Sequence, residues 1–447
     1  MQNINWPFLR GTSAIRRTTP IIERAEGLYL HTTDGRKLLD AAGGAIVANI
    51  GWGRRRVADR VAEITRECAY VVPPWITPSR IDLVEALELN WLPPRLRRIH
   101  ITSGGSDAIE SAMKLAIQYH AARGEPGRRQ IISRNVSYHG TTLATTAVSG
   151  HEGRKLGLAH ILNVHPTAAT PYPLRCPLGR YHPDAGRFYL DNLRATIEAE
   201  GPETIAALLA EPVTGSSGGA IVPPDEYWPG AKQICDEYGI LMIFDEVMTG
   251  FGRTGKPFAF QHWNVEPDIL VGGKGLAGGY APIGGVFATD EIGEAIESAG
   301  WNVMFHTLGA HPAACGAAAE VLNIMTEEKL IARAASQGER LKSRLEEVFA
   351  GHPFVAEVRN CGLLAAVEIL KDCETIEPFP EEAAVTNRII ANALNHDVFF
   401  YPGGTGEVRD IVCIGPAFTI EDAQIEQIAD VLRAAVDEVT EEACRSS

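Results

Sequence analysis

The sequence of 447 residues has few cysteines, no excess of basic residues and no long apolar run. Its eight cysteines are scattered and form no C-x-x-C pair, which argues against a disulfide scaffold and favours reduced thiols. No apolar stretch reaches about 18 residues, so no transmembrane helix is predicted. The opening residues, MQNINWPFLRGTS, lack the apolar core of a secretory signal. We therefore expect a cytoplasmic protein.

Acidic residues outnumber basic ones, 56 against 41, and the formal net charge is −15. Binding to nucleic-acid phosphates or to an anionic membrane needs a basic surface, so neither partner is expected. No H-E-x-x-H or other metal-ligand spacing occurs, and no metal site is predicted. Glycine is plentiful, with 44 residues mostly in short clusters, which favours loops that let the backbone approach a ligand.

Short apolar runs alternate with helical periodicity from about residue 57. The helices are predicted over 106–122, 227–238 and 310–326. The strands are predicted over 98–102, 130–133, 205–210, 240–244, 269–271 and 285–288. Near-continuous apolar strands that alternate with helices indicate an α/β fold, with a mostly parallel sheet covered on both faces.

The pattern changes after residue 327, where charged helices over 332–349, 380–395 and 421–443 are separated by short strands. This arrangement predicts a second, smaller α+β domain. Strand-like pieces near the N-terminus, such as 27–30 before the Asp34-Gly35 turn, are expected to join it. We therefore predict a large domain over 56–321 and a small domain formed by 1–55 and 322–447.

Three glycine motifs match nucleotide or hydrolase patterns but lack the context that these patterns require. Residues 250–256 fit the start of a P-loop, but Pro257 stands where Ser or Thr would bind Mg²⁺. Residues 273–278 fit G-x-G-x-x-G, yet more Gly and Pro follow instead of a helix. Residues 215–219 fit G-x-S-x-G but continue into Ile-Val-Pro-Pro. Nucleotide binding and serine hydrolysis are therefore disfavoured.

Three other segments are harder to explain by packing. Residues 102–107, Thr-Ser-Gly-Gly-Ser-Asp, lie between a predicted strand and a helix, where backbone N–H groups and the helix dipole bind phosphate. Asp245 follows a buried strand, at the edge where α/β sheets bind ligands. Lys274 follows another strand among five glycines, and a desolvated lysine becomes a nucleophile able to form a Schiff base.

Each segment also has a plainer explanation when taken alone. Ser106 or Asp107 could cap the helix, Asp245 could be a solvated acid or a partner for an arginine such as Arg253, and Lys274 could be an exposed loop residue. Together, however, a phosphate cradle, an acid for a ring nitrogen and a Schiff-base lysine are what proteins supply to pyridoxal phosphate. The three segments therefore predict that cofactor.

A long signature stretch contains two of these segments. It reads Leu-Met-Ile-Phe-Asp-Glu-Val-Met-Thr-Gly-Phe-Gly-Arg-Thr-Gly over 241–255, then Glu-Pro-Asp-Ile-Leu over 266–270, then the Lys274 loop. The chain resembles class III aminotransferases, the ω-transaminase group of fold-type I enzymes, from about Ile22 to Leu432. The resemblance implies a fold-type I α/β architecture, with a mostly parallel mixed sheet flanked by helices. It also implies a homodimer or tetramer with shared active sites.

The resemblance implies a role for each matching residue. Lys274 would be the Schiff-base lysine and proton shuttle, and Asp245 would pair with the ring nitrogen. Val247 and Tyr138 would pack against the two faces of the ring. The further cofactor contacts implied are Gly105, Ser106, His139, Glu211 and, for the phosphate of the neighbouring subunit, Thr307. Without the resemblance, Tyr138, Glu211 and Thr307 would be explained as a core aromatic, a strand-end acid and a loop hydroxyl.

The substrate side matches the family less closely. Arg409 is the implied carboxylate-binding residue, because a guanidinium can bind a carboxylate through two hydrogen bonds. Gly415-Pro416 replaces a Pro-Pro that is frequent in the family, and the segment around Gly406 is shortened, so an ordinary surface arginine remains the alternative. Ile46 and Trp75 fall where the family lines its amine pocket, with core packing as their alternative.

The implied reaction is a ping-pong amino transfer. A primary amine or ω-amino acid would give up its nitrogen, and a keto acid, pyruvate or 2-oxoglutarate, would collect it. The alternatives are another pyridoxal-phosphate reaction on the same scaffold (decarboxylase, racemase, aminomutase or phospho-lyase) and a non-catalytic binding protein. Tyr138 favours transfer, since the dialkylglycine decarboxylases usually have Trp there, and the presence of Lys274 and Asp245 argues against a non-catalytic protein.

Overall fold

The computed structural model describes residues 20–302 and 304–445, which form three β-sheets surrounded by helices. The predicted lack of a secretory signal rests on residues 1–13 and lies outside the described residues. The strands are β1 Ile22–Glu26, β2 Tyr29–Thr32, β3 Lys37–Asp40, β4 Arg98–Thr102, β5 Gln130–Arg134, β6 Thr167–Ala168, β7 Ile205–Ala210, β8 Leu241–Asp245, β9 Ile269–Gly272, β10 Gly284–Ala288, β11 Val355–Cys361, β12 Leu364–Ile369, β13 Val398–Phe399, β14 Tyr401–Thr405 and β15 Val408–Ile414.

The helices flank the sheets, and short helical turns connect several of them. The helices of six or more residues are α1 Arg55–Glu67, α2 Pro78–Asn90, α3 Gly105–Ala122, α4 Leu143–Val148, α5 Ala185–Glu200, α6 Tyr227–Tyr238, α7 Asp290–Ser298, α8 Pro312–Glu327, α9 Leu330–Val348, α10 Val385–Asn395 and α11 Asp422–Arg445. No helix in the described part of the chain is both long and apolar enough to cross a bilayer.

The central sheet has seven strands in the order β4-β10-β9-β8-β7-β5-β6. The strands from β9 to β6 are parallel to their neighbours, whereas β10 runs antiparallel to both β9 and β4. Every residue of β7, β9 and β10 is buried, as expected for strands covered by helices on both faces. The predicted mostly parallel, mixed sheet is confirmed.

Two four-stranded sheets are built from the terminal parts of the chain. One has the order β1-β2-β3-β13, and its β13 pairs in parallel with β3, which joins the C-terminal part to the N-terminal part. The other is antiparallel, in the order β11-β12-β15-β14. The predicted domain boundaries near 56 and 322 stay a prediction, and α8 crosses the second of them.

Two predicted elements are wrong in their extent. The strand predicted over 27–30 spans a turn, because Gly27 has φ +57° and β2 begins only at Tyr29. The helix predicted over 380–395 begins at Val385. Ala384 has φ +47°, which ends the preceding short turn, Glu381–Ala383, and separates it from the helix.

Candidate active site

A cavity of about 220 Å³ lies at the carboxyl ends of the parallel strands. Asp245 ends β8, Glu211 directly follows β7, and Lys274 lies two residues after β9. This is the edge at which open α/β sheets bind ligands. The lining residues are Gly105, Ser106, Tyr138, His139, Gly140, Glu211, Ser216, Asp245, Val247, Met248 and Lys274.

The Asp245 carboxylate is buried and held by two contacts. Its Oδ2 lies 2.8 Å from Nδ1 of His139, and its Oδ1 accepts the Val247 N–H at 3.0 Å. His139 is fixed in turn, because its backbone N–H donates to Ser149 Oγ at 2.9 Å. Arg253, the alternative partner for Asp245, instead donates to the carbonyls of Ala48, Leu363 and Pro416. The carboxylate therefore stays available to a cationic nitrogen in the cavity.

Lys274 begins a short 3₁₀ turn and has φ +35°, a conformation that is strained for a residue with a side chain. Burial lowers the pKa of its amino group, and the negative charges of Asp245 and Glu211 oppose this effect. A lysine with a lowered pKa supplies more of the neutral, nucleophilic amine. The side chain lines the cavity, which contradicts the alternative of an exposed loop lysine.

The N-terminus of α3 forms a tight concave surface. A Cβ on Gly105 would lie 3.0 Å from Val247 Cγ1, and a Cβ on Gly140 would lie 2.6 Å from Ser106 Oγ. Ser106 Oγ accepts the Thr141 N–H at 3.1 Å. Helix N-termini bind phosphate through free N–H groups and the helix dipole. The N-cap residue is Gly104, so the alternative in which Ser106 or Asp107 serves as the cap is wrong.

Glu211 connects the loop after β5 to the loop after β7. Its Oε2 accepts the Tyr138 N–H at 3.4 Å, and its Oε1 accepts the Gly215 N–H at 2.9 Å. Burial raises the pKa of the Glu211 carboxyl, an effect opposed by His139 and, more weakly, by the buried Arg134. Burial also raises the pKa of the Tyr138 phenol. The carboxylate of Glu211 thus helps to hold Tyr138 at the cavity.

Eight of the twelve predicted site residues line this one cavity: Lys274, Asp245, Tyr138, His139, Gly105, Ser106, Glu211 and Val247. Thr307 and Arg409 lie elsewhere. The exposed Thr307 accepts the Tyr70 O–H on its carbonyl at 3.0 Å. The Arg409 guanidinium donates to the Phe379 carbonyl at 2.9 and 3.1 Å, which matches the surface-arginine alternative in this chain.

The two predicted amine-pocket residues are also outside the cavity lining. Trp75 is 68% exposed. Ile46 is buried, has φ +57° and belongs to an apolar cluster that includes Cys413 and Ala366. Its burial matches the alternative of core packing.

Three lining residues were missed by the sequence analysis: Gly140, Ser216 and Met248. Gly140 and Met248 directly follow predicted residues, so adjacency was the available signal. Ser216 belongs to the G-x-S-x-G stretch that fails as a nucleophile motif. Its carbonyl accepts the Gly404 N–H of β14 at 2.7 Å, which connects this edge of the cavity to the antiparallel sheet β11-β12-β15-β14.

The chemical groups that line the cavity fit pyridoxal phosphate. The glycine-lined N-terminus of α3 suits a phosphate, the buried Asp245 suits a protonated ring nitrogen, and Lys274 suits an aldehyde. The cavity brings the three groups together, although they are far apart in the sequence.

Comparison with known proteins agrees with this assignment. The model of the family "Aminotransferase class-III" matches residues 13–436. A putrescine–pyruvate aminotransferase of Pseudomonas aeruginosa is 33% identical, over 97% of this chain and 93% of its own. A diaminobutyrate–2-oxoglutarate transaminase of Halomonas elongata is 31% identical, over 94% and 91%. The PLP-bound structure of an amine transaminase from an uncultivated Pseudomonas species has a TM-score of 0.89 and 34% identity, covering 99% of both chains.

Proposed function

The chain belongs to the class III aminotransferases, which depend on pyridoxal phosphate, and we propose that its cavity transfers an amino group from a primary amine or ω-amino acid to a keto acid. The observation that carries this proposal is the convergence of Lys274 and Asp245 on one cavity beside a glycine-lined helix N-terminus. The two residues come from separate strands, and together they meet the chemical needs of one cofactor.

We infer how the cofactor would be held from the groups that face it. The N-terminus of α3, with Gly105 and Ser106, would bind the phosphate. Asp245 would pair with the ring nitrogen, while His139 keeps its carboxylate in position. Tyr138 and Val247 would enclose the ring, and Glu211 would steady Tyr138 through its backbone.

When bound, pyridoxal phosphate supplies an aldehyde that takes up the amino nitrogen and a ring that withdraws electrons from the substrate Cα. The Lys274 amine, whose pKa is lowered, would take the proton from the substrate Cα and hold it until it is given back later in the transfer. The Asp245 carboxylate, held by His139 and the Val247 N–H, would stabilise a positive charge on the ring nitrogen. The donor leaves its nitrogen on the enzyme before the keto acid collects it, which gives the ping-pong order.

The names of the two relatives support the proposed substrates. One acts on putrescine and pyruvate, and the other on diaminobutyrate and 2-oxoglutarate. From these names we carry over only two classes of substrate. The donor is an amine that has no carboxylate or whose amino group is remote from its carboxylate, and the acceptor is a small keto acid. Pyruvate and 2-oxoglutarate are the two acceptors to test first.

We also propose that the protein is cytoplasmic and that it forms a homodimer with shared active sites. Five large apolar or aromatic side chains at the surface support the dimer: Tyr70, Trp75, Ile76, Phe305 and Leu308. The Tyr70 hydroxyl bonds to the Thr307 carbonyl, so these two segments adjoin. An apolar surface of this kind suits burial against a second copy. Thr307, which lies on it, would then reach the partner's phosphate site.

Replacing Lys274 by Ala tests the proposed function. We expect turnover to fall by at least about 10³-fold, because the variant loses both the nucleophile and the proton carrier. The matched control is Lys371→Ala, which removes an exposed lysine paired with Glu377. Turnover that survives in Lys274→Ala would contradict the assignment.

A further inference from the structure

We propose that Arg154, which lies over the ring of the cavity-lining Tyr138, binds the substrate carboxylate. The inference rests on the proposed aminotransferase function and names the residue that distinguishes a keto acid from a plain amine. Arg154 ends the short 3₁₀ turn Glu152–Arg154 and is exposed. Its guanidinium carbon lies 5.7 Å from the centroid of the Tyr138 ring, and Tyr138 lines the cavity.

The positive charge of Arg154 acts on two tyrosines, Tyr138 and Tyr401. Burial raises the pKa of the Tyr138 and Tyr401 phenols, and in both cases the Arg154 charge opposes the rise. Tyr401 begins β14, the strand whose Gly404 N–H donates to the carbonyl of the lining residue Ser216. Arg154 therefore lies over Tyr138, at 5.7 Å from its ring, and close enough to Tyr401 for its charge to act on that phenol.

No acid in the described part of the chain forms an ion pair with Arg154. Glu152, the nearest acid in sequence, pairs with Lys155 at 3.3 Å. Within residues 20–302 and 304–445, the Arg154 guanidinium forms no hydrogen bond or ion pair, and it lies over the Tyr138 ring. A guanidinium with all its N–H groups free is suited to a carboxylate, which it can bind through two parallel hydrogen bonds.

Three other arginines that are candidates for this role already have partners. Arg409 donates to the Phe379 carbonyl. Arg134 is buried and donates to the Glu211 carbonyl. Arg359 is buried against Glu368, and it also donates to backbone carbonyls. Of these four arginines, Arg154 alone combines a guanidinium without a hydrogen-bond partner among the described residues with a contact to the ring of a cavity-lining residue, Tyr138.

The carboxylate could belong to the keto acid or to an ω-amino acid donor. Measuring the two half-reactions separately distinguishes these sources. The proteins to compare are the wild type, Arg154→Gln, Arg154→Lys and Lys155→Gln. Lys155→Gln is the matched control, because it removes one positive charge from the adjacent position. The substrates are a carboxylate-free primary amine, an ω-amino acid, and pyruvate or 2-oxoglutarate.

We expect Arg154→Gln to raise KM for the keto acid by about tenfold to a hundredfold, as for loss of a charged hydrogen-bonded contact. KM for the carboxylate-free amine should stay unchanged, and kcat should change little. Arg154→Lys should recover part of the loss, and Lys155→Gln should behave as wild type. A matching rise in KM for the ω-amino acid would show that Arg154 serves both substrates.

The inference is overturned if Arg154→Gln leaves KM unchanged for both the keto acid and the ω-amino acid. It is also overturned if KM for the carboxylate-free amine rises equally, because the substitution would then have disturbed the whole cavity. The proposed function is judged separately, by the reaction of the wild type with the amine alone. If that reaction is absent, the aminotransferase assignment fails, and this inference fails with it.

Discussion

At the scale of single residues, Asp410 is a buried acid whose protonation should affect stability. It lies in β15 with φ +61°, and burial raises the pKa of its carboxyl to about 6, from an ordinary value of 3.8. The folded protein therefore keeps this proton to a higher pH than the unfolded chain does. Because the folded state binds more protons between these two values, the contribution of Asp410 to stability falls as the pH rises through them.

Replacing Asp410 by Asn should remove this pH dependence. Asn tolerates a positive φ and keeps one acceptor oxygen, so the local structure should survive. We compare the free energy of unfolding of the variant with that of the wild type at each pH. The difference should favour the variant by about 1 kcal/mol more at pH 7.5 than at pH 5. Thermal unfolding at both pH values measures this. An identical difference at the two pH values would contradict the raised pKa.

Lys274 and Asp245 could be predicted from the sequence because, together with residues 102–107, they match the needs of one cofactor, although each has a plainer explanation alone. Residue identity was not enough for Arg409, whose direction depends on the Phe379 carbonyl, 30 positions away in the sequence. Arg154 carries no motif and was not singled out. Its relevance comes only from the fold, which brings a short turn against Tyr138.

At the scale of elements, the phosphate site depends on close contact between the start of α3 and the loop after β5. Gly140 has φ +143°, and a Cβ there would lie 2.6 Å from Ser106 Oγ and 2.7 Å from Thr145 Oγ1. Gly140→Ala should therefore displace Ser106 and weaken binding of pyridoxal phosphate by about tenfold or more. Titration of the cofactor-free protein with pyridoxal phosphate measures the change.

The matched control is Gly300→Ala. Gly300 also has a positive φ, +72°, but a Cβ there would meet nothing within 4 Å. The control should carry a backbone penalty of about 1 kcal/mol and leave cofactor affinity unchanged. Equal affinity in the two variants would mean that the contact with Ser106 does not shape the site.

The burial of each helix or strand explains whether it could be predicted from the sequence. The strands β7, β9 and β10 are buried throughout, so they appear in the sequence as apolar runs. Helix α1 was not predicted, because only Val57 and Ile64 of its 13 residues are buried and the apolar signal is sparse. The turn at Gly27 was read as strand, because its positive φ leaves no mark in a hydrophobic pattern.

At the scale of the whole molecule, the proposed dimer depends on the exposed apolar residues between 70 and 76 and between 305 and 308. We expect light scattering to give twice the mass of one chain. Ile76→Glu should shift the protein towards monomer, because it buries a charge in the interface. Leu178→Glu, at an exposed position on another segment, is the control. A wild-type monomer at assay concentrations would contradict the dimer.

The pairing of β13 with β3 closes the molecule by joining its two terminal parts. The N-terminal strands were expected to join the C-terminal domain, because these two parts of the chain lie on either side of the α/β pattern. The partner strand and its register could not be predicted, since Val398–Phe399 is only two residues long. A strand of that length has no periodicity, and its position is set by tertiary contacts.

The most direct test of the central claim is the visible absorbance of the purified protein loaded with pyridoxal phosphate, recorded before and after adding a primary amine without a keto acid. The account predicts a yellow band that the amine bleaches in the wild type and that returns on adding pyruvate or 2-oxoglutarate. Lys274→Ala should not complete this cycle. A wild-type band that no amine bleaches, or no band at all with added cofactor, would contradict the account.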